Sequence, residues 1–266
     1  MKKHLLFLLS FIFLIITVHN VDAQARLNKI KKSGVLKVGT SGNQPPFSME
    51  AKDGSLIGYE VDIAELLAES MKVKLEMVKM PFSELISSLE KGDVDMIMSG
   101  MTITMERNMK VAFVGPYILS GKSILTKVET IAKADEAEDL NQSDLRITAL
   151  KGSTSETFVT SLLPEATFLP AEDYDKAVSK LLKDEANVML ADFPVCALTI
   201  LRNPTANLAT LTEPLTIEPI GMAIAPGDPL LMNFLENYLN ALLMAGMLDD
   251  LEKYWFQNGS WLAEMK

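Results

Sequence analysis

Three short segments hold residues whose types and spacing suit the capture of a small charged solute. The first, Ser99-Gly100-Met101-Thr102-Ile103-Thr104-Met105-Glu106-Arg107, joins an apolar strand to a turn of small residues and then to a short helix. Thr104 is placed to cap that helix, which projects Arg107. A guanidinium grips a carboxylate through two parallel hydrogen bonds, a geometry that lysine does not reproduce. The second, Lys151-Gly152-Ser153-Thr154-Ser155-Glu156, follows another strand, and Ser153 and Glu156 have the spacing of a capping box. A glycine ahead of a helix N-terminus offers amide hydrogens and a partial positive charge to an anion, although an ordinary cap is the commoner use of such a segment. The third is Asp192, at a strand end just before Phe193-Pro194. It suits an ammonium group, or else the cap of the helix that follows. Together these are one cation, one anion-friendly helix end and one anion, the complement of a zwitterion.

Other chemistries are removed by what the chain lacks. Its two histidines, His4 and His19, fall in the first two dozen residues, which read as a segment cut away on export. Lys2 and Lys3 open that segment, an apolar run follows from Leu5 to Val18, and a polar stretch ends Val21-Asp22-Ala23-Gln24-Ala25. Basic, apolar and small-residue parts in that order are a secretory signal peptide, and the apolar run is too short to span a bilayer. Cleavage after Ala23 or after Ala25 fits equally. The mature chain then has no histidine, so Ser-His-Asp and Cys-His arrangements and histidine-ligated metals are excluded. The one cysteine, Cys196, can form neither an internal disulfide nor a thiolate cluster. It lies in an apolar helical stretch, Phe193 to Leu201, where a small buried residue is expected. No metal and no cofactor are expected. Lys2, Lys3 and Asp22 leave with residues 1–23, so the formal charge moves from −10 to −11. So acidic a chain does not suit nucleic acid or an anionic membrane surface.

These segments are positioned by strands alternating with amphipathic helices, the pattern of parallel sheet with helices on its faces. Gly34 to Gly39 reads as a strand stopped by glycine, Lys74 to Met80 and Asp95 to Met98 as strands, and Phe82 to Leu89 as a helix. After Leu56 to Tyr59 comes a helix with Val61, Ala64, Leu67, Ala68 and Met71 on one face and Glu60, Asp62, Glu65 and Glu69 on the other. The chain also echoes itself. Ser87 to Gly100 lies over Ser179 to Asp192 without a gap, and Leu36-Lys37-Val38-Gly39 resembles Arg146 to Leu150. Two similar α/β halves imply two lobes whose strand ends open on one crevice, where such sheets bind ligands. Gly115 to Gly121 is the expected crossing between lobes, with the return near Pro214 to Gly221. Beyond it, Met222 to Ala225 reads as a strand. Asp228 and Pro229 then start a helix with an apolar stripe of Leu231, Phe234, Leu235, Tyr238 and Leu242, ending at Gly246.

The chain resembles the bacterial extracellular solute-binding proteins of family 3, the polar amino-acid binders of ABC transporters. The resemblance runs from about Gly34 to Phe256. It rests on Gly58-Tyr59-Glu60-Val61-Asp62-Ile63-Ala64-Glu65-Leu66-Leu67-Ala68, on Ser99 to Arg107, Lys151 to Glu156 and Ala191-Asp192, and on Gly246 to Phe256. It implies an α/β, two-lobed periplasmic binding protein of type II, with two crossover hinge strands and the ligand cleft between lobes. After a signal peptide at 1–23, residues 24–118 and 220–266 form lobe 1 and 119–219 lobe 2. By resemblance, Arg107 and the amides of Thr102 and Thr154 take an α-carboxylate, while Asp192 and the Gly100 carbonyl take an α-ammonium. Ser153 belongs to the same helix end. The Gly58 segment is expected to pack a helix on the sheet rather than to touch ligand.

Two departures bear on which solute is bound. Many of these proteins hold the ligand between two aromatic rings; Phe82 matches one position, and Gln44 stands at the other. Binders of cationic ligands often carry an acid near Ser41, and none is here, so a neutral or polar amino acid is favoured, with Lys151 leaving an acidic one open. The expected protein is a periplasmic monomer that closes over an amino acid and hands it to the membrane permease of an ABC transporter. An exported prephenate or arogenate dehydratase on the same fold, and a ligand-sensing receptor component, are the alternatives.

Overall fold

The computed structural model describes residues 25–128, 131–133 and 137–266. The expected signal segment lies outside the described residues. α1 (Ala25–Ser33) and β1 (Val35–Thr40) lead to a small antiparallel flap of β2 (Asn43–Gln44), β3 (Ser48–Glu50) and β4 (Leu56–Ile57). There follow α2 (Tyr59–Met71), β5 (Lys74–Lys79), α3 (Leu85–Lys91), β6 (Met96–Ile97), α4 (Met105–Asn108) and β7 (Ala112–Ser120). The middle of the chain holds β8 (Lys122–Thr126), β9 (Arg146–Leu150), α5 (Thr154–Leu162), β10 (Thr167–Ala171), α6 (Tyr174–Leu182), β11 (Val188–Asp192), α7 (Phe193–Arg202) and β12 (Ala209–Thr210). β13 (Glu218–Ile224), α8 (Pro229–Met244) and α9 (Met247–Glu252) complete it.

Two five-stranded sheets carry the two lobes, in the orders β5-β1-β6-β13-β7 and β10-β9-β11-β8-β12. They share one plan. β1 runs parallel to β5 and β6, as β9 does to β10 and β11, and the fourth strand of each sheet is antiparallel to the third. The sequence echo lies on matching elements: α3, a turn and β6 correspond to α6, a turn and β11. Even the turns agree, since Gly92 and its counterpart Asp184 both have left-handed backbone, at φ 83° and 59°.

Two strand expectations change in detail. β1 is not stopped by Gly39 but runs through it to Thr40, which still pairs with Lys79 of β5; the glycine serves packing, since a Cβ there would meet Leu85 and Val94 at 3.2 and 3.3 Å. β6 has two residues rather than four, yet Asp95 and Met98 still donate their amides to the carbonyls of Lys37 and Gly39 in β1. In α8, Asp228 caps the first turn through the amide of Leu231, and the buried stripe is Leu231, Leu235, Leu239 and Leu242, with Phe234 and Tyr238 half-buried at its rim.

The chain passes from the first sheet to the second at Gly121, between β7 and β8, and returns between β12 and β13. The two passes touch: a Cβ on Gly121 would stand 2.1 Å from the Thr216 carbonyl oxygen. One apolar cluster covers the first sheet, including Leu36, Ile63, Met222 and Leu235. A second joins Phe82, Leu85 and Ile97 of the first lobe to Leu150, Met189 and Ala191 of the other, so the lobes are packed together. Among the described residues no helix is long and apolar enough to cross a membrane.

Candidate functional site

Arg107 is placed by local chemistry before any tertiary contact. The Thr104 hydroxyl accepts the Arg107 amide at 3.2 Å, which starts the single turn of α4 and turns the guanidinium inward. There Nη1 donates to the Thr102 carbonyl at 2.9 Å, and Nη2 donates across the lobe boundary to the Gly152 carbonyl at 3.1 Å. The Phe82 ring lies under the guanidinium at 5.5 Å, a cation–π platform. Phe82 therefore supports Arg107, in addition to any contact with a ligand. Burial draws the Arg107 pKa below its ordinary value, and Glu218 and Asp192 oppose that shift.

The start of α5 is a reciprocal cap. The Ser153 hydroxyl accepts the Glu156 amide at 3.3 Å, while the Glu156 carboxylate takes the amide of Gly152 rather than that of Ser153 itself. The Gly152 amide is thus not offered to an anion, and the Ser153 amide turns back to the Leu150 carbonyl. Thr154 and Ser155 supply the amides that remain at this helix end.

Asp192 ends β11 with its side chain 3% exposed and makes no side-chain capping bond to α7, so the cap expected as one of its two uses is not made. Both carboxylate oxygens face the lobe boundary. Oδ1 takes the Lys122 ammonium at 2.7 Å, and Oδ2 accepts from Gln44 Nε2 at 2.9 Å, a bond between lobes. Lys122 also reaches Glu218 Oε2 at 3.0 Å, and that same oxygen accepts the hydroxyls of Thr102 at 2.6 Å and Thr154 at 2.9 Å. Burial works to lower the Lys122 pKa, but Asp192 and Glu218 outweigh it and hold the ammonium above its ordinary value. Burial likewise works to raise Glu218, and Lys122 with the two threonine hydroxyls holds it below its ordinary value.

The floor on the first lobe is built from the loop after β1 and the turn after β6. The Ser41 amide donates to Ser99 Oγ at 2.9 Å, and the Gly100 amide to Glu60 Oε1 at 2.7 Å. Ser41 Oγ and Gln44 Oε1 are buried with no partner among the described residues, so two polar atoms here remain to be satisfied. The nine anticipated residues thus gather along one boundary between lobes. They do not all line one open space. A cavity of about 600 Å3 opens beside Arg107, Ser153 and Thr154, and its remaining lining comes from α3, α4 and α5 and the residues that flank them, Ser83, Thr104, Lys110 and Gly152. Asp192, Gln44, Ser41, Gly100, Thr102 and Phe82 lie outside that lining, and both Asp192 oxygens are already taken by Lys122 and Gln44.

Residues 36–258 match the bacterial extracellular solute-binding proteins, family 3. The chain belongs to this family. Cyclohexadienyl dehydratase of Pseudomonas aeruginosa is 26% identical over 255 residues, covering 96% of this chain and 95% of that protein. The L-cystine-binding protein TcyJ of Escherichia coli is 26% identical over 240 residues, covering 90% and 89%. The crystal structure of an ancestral amino-acid-binding protein, AncCDT-1, a precursor of cyclohexadienyl dehydratase, superposes with a TM-score of 0.79 at 36% identity, covering 86% of this chain and 99% of that one.

Three groups in this family 3 protein were not anticipated as parts of the site. Lys122 follows the crossing glycine directly, and Glu218 opens the returning strand; their adjacency arises only when the two passes meet. Glu60, expected on the polar face of α2, is instead fully buried at the helix start, where its carboxylate joins the Gly100 turn to the Tyr117 hydroxyl on β7.

Glu60 gives the protein a testable pH dependence. It is fully buried, and burial pushes its carboxyl from an ordinary 4.5 up to about 7, against the pull of Tyr117 and Gly100. The folded state therefore holds this proton more tightly than the unfolded state. The stability linked to Glu60 is complete below pH 4.5 and is lost as pH rises through about 7. The loss is on the order of 3 kcal/mol. Thermal melts of the parent and of Glu60→Gln from pH 4.5 to 8 should diverge, with the parent losing more stability. Parallel curves would remove Glu60 as the cause.

Proposed function

We propose that this family 3 protein captures a small amino acid, neutral or polar rather than cationic, between its lobes outside the cytoplasm, as a monomer, and delivers it to the permease of an ABC transporter. Arg107 with the amides of Thr102 and Thr154 takes the carboxylate. Asp192, with the Gly100 carbonyl, takes the ammonium, which displaces the Gln44 amide from Oδ2 while Lys122 keeps Oδ1. Ser41, Gln44 and Phe82 surround the side chain. Residues 24–118 and 220–266 act as one lobe and 119–219 as the other.

The charge count across the lobe boundary carries this reading. Lys122, Asp192 and Glu218 form a buried group with one net negative charge, and Arg107 stands apart with one positive charge. One positive and one negative end, both shielded from water, complement a zwitterion. Closure around it strengthens each charged contact, and the ligand favours the closed state by the difference in its affinity for the two states. The absence of an acid beside Ser41 and the neutral Gln44 support a neutral or polar side chain.

A thermal-shift screen of the common amino acids, followed by calorimetry, tests the proposal: a bound ligand raises the melting temperature by mass action. No response from any amino acid would overturn it. The second reading, a dehydratase, is favoured by the P. aeruginosa relative, which aligns over nearly the whole chain. Against it, a proton donor must hold a proton near neutral pH and reach the substrate: Lys122 keeps Glu218 below its ordinary value, and Glu60, the carboxyl raised to about 7, is fully buried behind the Gly100 turn and Tyr117. Incubation with prephenate, followed by assay for phenylpyruvate, separates the readings; turnover would establish the enzyme.

A further inference from the structure

Lys122 is a buried ammonium that the zwitterion account uses only as a counter-charge, and its placement is over-determined. In the antiparallel pair of β8 and β11, Lys122 and Asp192 are direct cross-strand partners, so their side chains leave the sheet on one face. The Lys122 amide donates to Thr216 Oγ1 at 2.9 Å, and its carbonyl accepts the Leu215 amide at 2.7 Å. This ties β8 to the returning pass two to three residues before Glu218. Lys122 and Asp192 side chains are 2% and 3% exposed, and Glu218 is 11%. Without the lysine, two carboxylates would face each other across a dry gap, an arrangement that demands a cation.

We propose that Lys122 is the specificity-determining residue of the cleft: its ammonium is a built-in cation that occupies the room between Asp192 and Glu218 and so excludes ligands bearing a second positive charge. The proposal rests on the cleft assigned above. With the lysine present, the group of three charges has room for one ammonium. With it gone, the same carboxylates accept two positive charges, either both cationic groups of one diamino acid or a free alkylammonium ion in the lysine's place beside the ligand's α-ammonium.

Lys122→Ala deletes the equivalent of propylammonium, which is therefore the probe. Propylammonium chloride at millimolar concentration should raise the melting temperature of Lys122→Ala and leave the parent unmoved, while propanol stabilises neither. Lys122→Met, which keeps the volume of the stem, provides a second variant should the alanine protein fail to fold. By calorimetry, L-lysine and L-arginine should bind whichever variant folds about tenfold or more tighter than they bind the parent. Equal binding of cationic amino acids to parent and variants, or a propylammonium response no different from that of propanol, overturns the proposal. The propylammonium experiment needs no natural ligand. A parent protein that binds no amino acid would overturn the proposed function and leave this arm to decide the role of Lys122.

Discussion

Arg107→Ala is expected to weaken the captured amino acid by roughly 30- to 4,000-fold, the equivalent of about 2–5 kcal/mol for removing one partner of a buried hydrogen-bonded charge pair. The ligand carboxylate would enter the lobe boundary without the Arg107 guanidinium to receive it. The Thr102 and Gly152 carbonyls would lose their donor at the same time, so the contact between lobes through Gly152 also goes. Arg107→Lys separates charge from geometry. It keeps the positive charge but cannot donate in two directions from one planar group, and most of the loss should persist. Calorimetry with the amino acid found by the screen measures both. If the alanine protein binds as tightly as the parent, the carboxylate goes elsewhere and the site assignment falls.

Gly58→Ala should cost on the order of 4 kcal/mol in folding, combining backbone strain with overpacking. Gly58 precedes α2 with φ at 142°, and a Cβ there would lie 2.3 Å from the Phe47 carbonyl oxygen and 2.9 Å from the Ser48 Cα. These are backbone atoms of the flap and have no rotamer to yield. A melting temperature lower by roughly 10 °C is the expected reading. The damage should extend to binding. Residues of α2 hold the Gly100 turn through Glu60 and the C-terminal segment through Asp62, which accepts Trp255 Nε1 at 2.7 Å. A melting temperature within a degree or two of the parent would show that the flap moves aside at little cost.

The sequence expectation for Gly58 to Ala68 was a helix packing on the sheet, and that much was legible because apolar spacing and a glycine are local signals. Its link to the Gly100 turn is not legible there. A glutamate at a helix start reads the same whether it meets water or, as Glu60 does, a glycine amide forty residues on. The capping pairs Thr104 with Arg107 and Ser153 with Glu156 were readable for the same local reason. What the second pair does with the Gly152 amide is decided by the folded loop, because a carboxylate at the third helical position can reach back to either of two adjacent amides.

The chain's own order of residues determined the alternation of strands and helices, the doubled α/β plan, the lack of any histidine and of a second cysteine beyond residue 24, and the residue types able to face a zwitterion. All of these depend on periodicity, composition or spacing within a dozen residues. Tertiary structure alone decided that Asp192 meets Lys122 and Gln44 rather than capping its own helix, and that Glu218 gathers Lys122, Thr102 and Thr154 onto one oxygen. Those partners lie 64 to 148 residues apart. Burial makes each charge depend on whichever neighbour two crossing strands bring within 3 Å, and no local pattern records that neighbour.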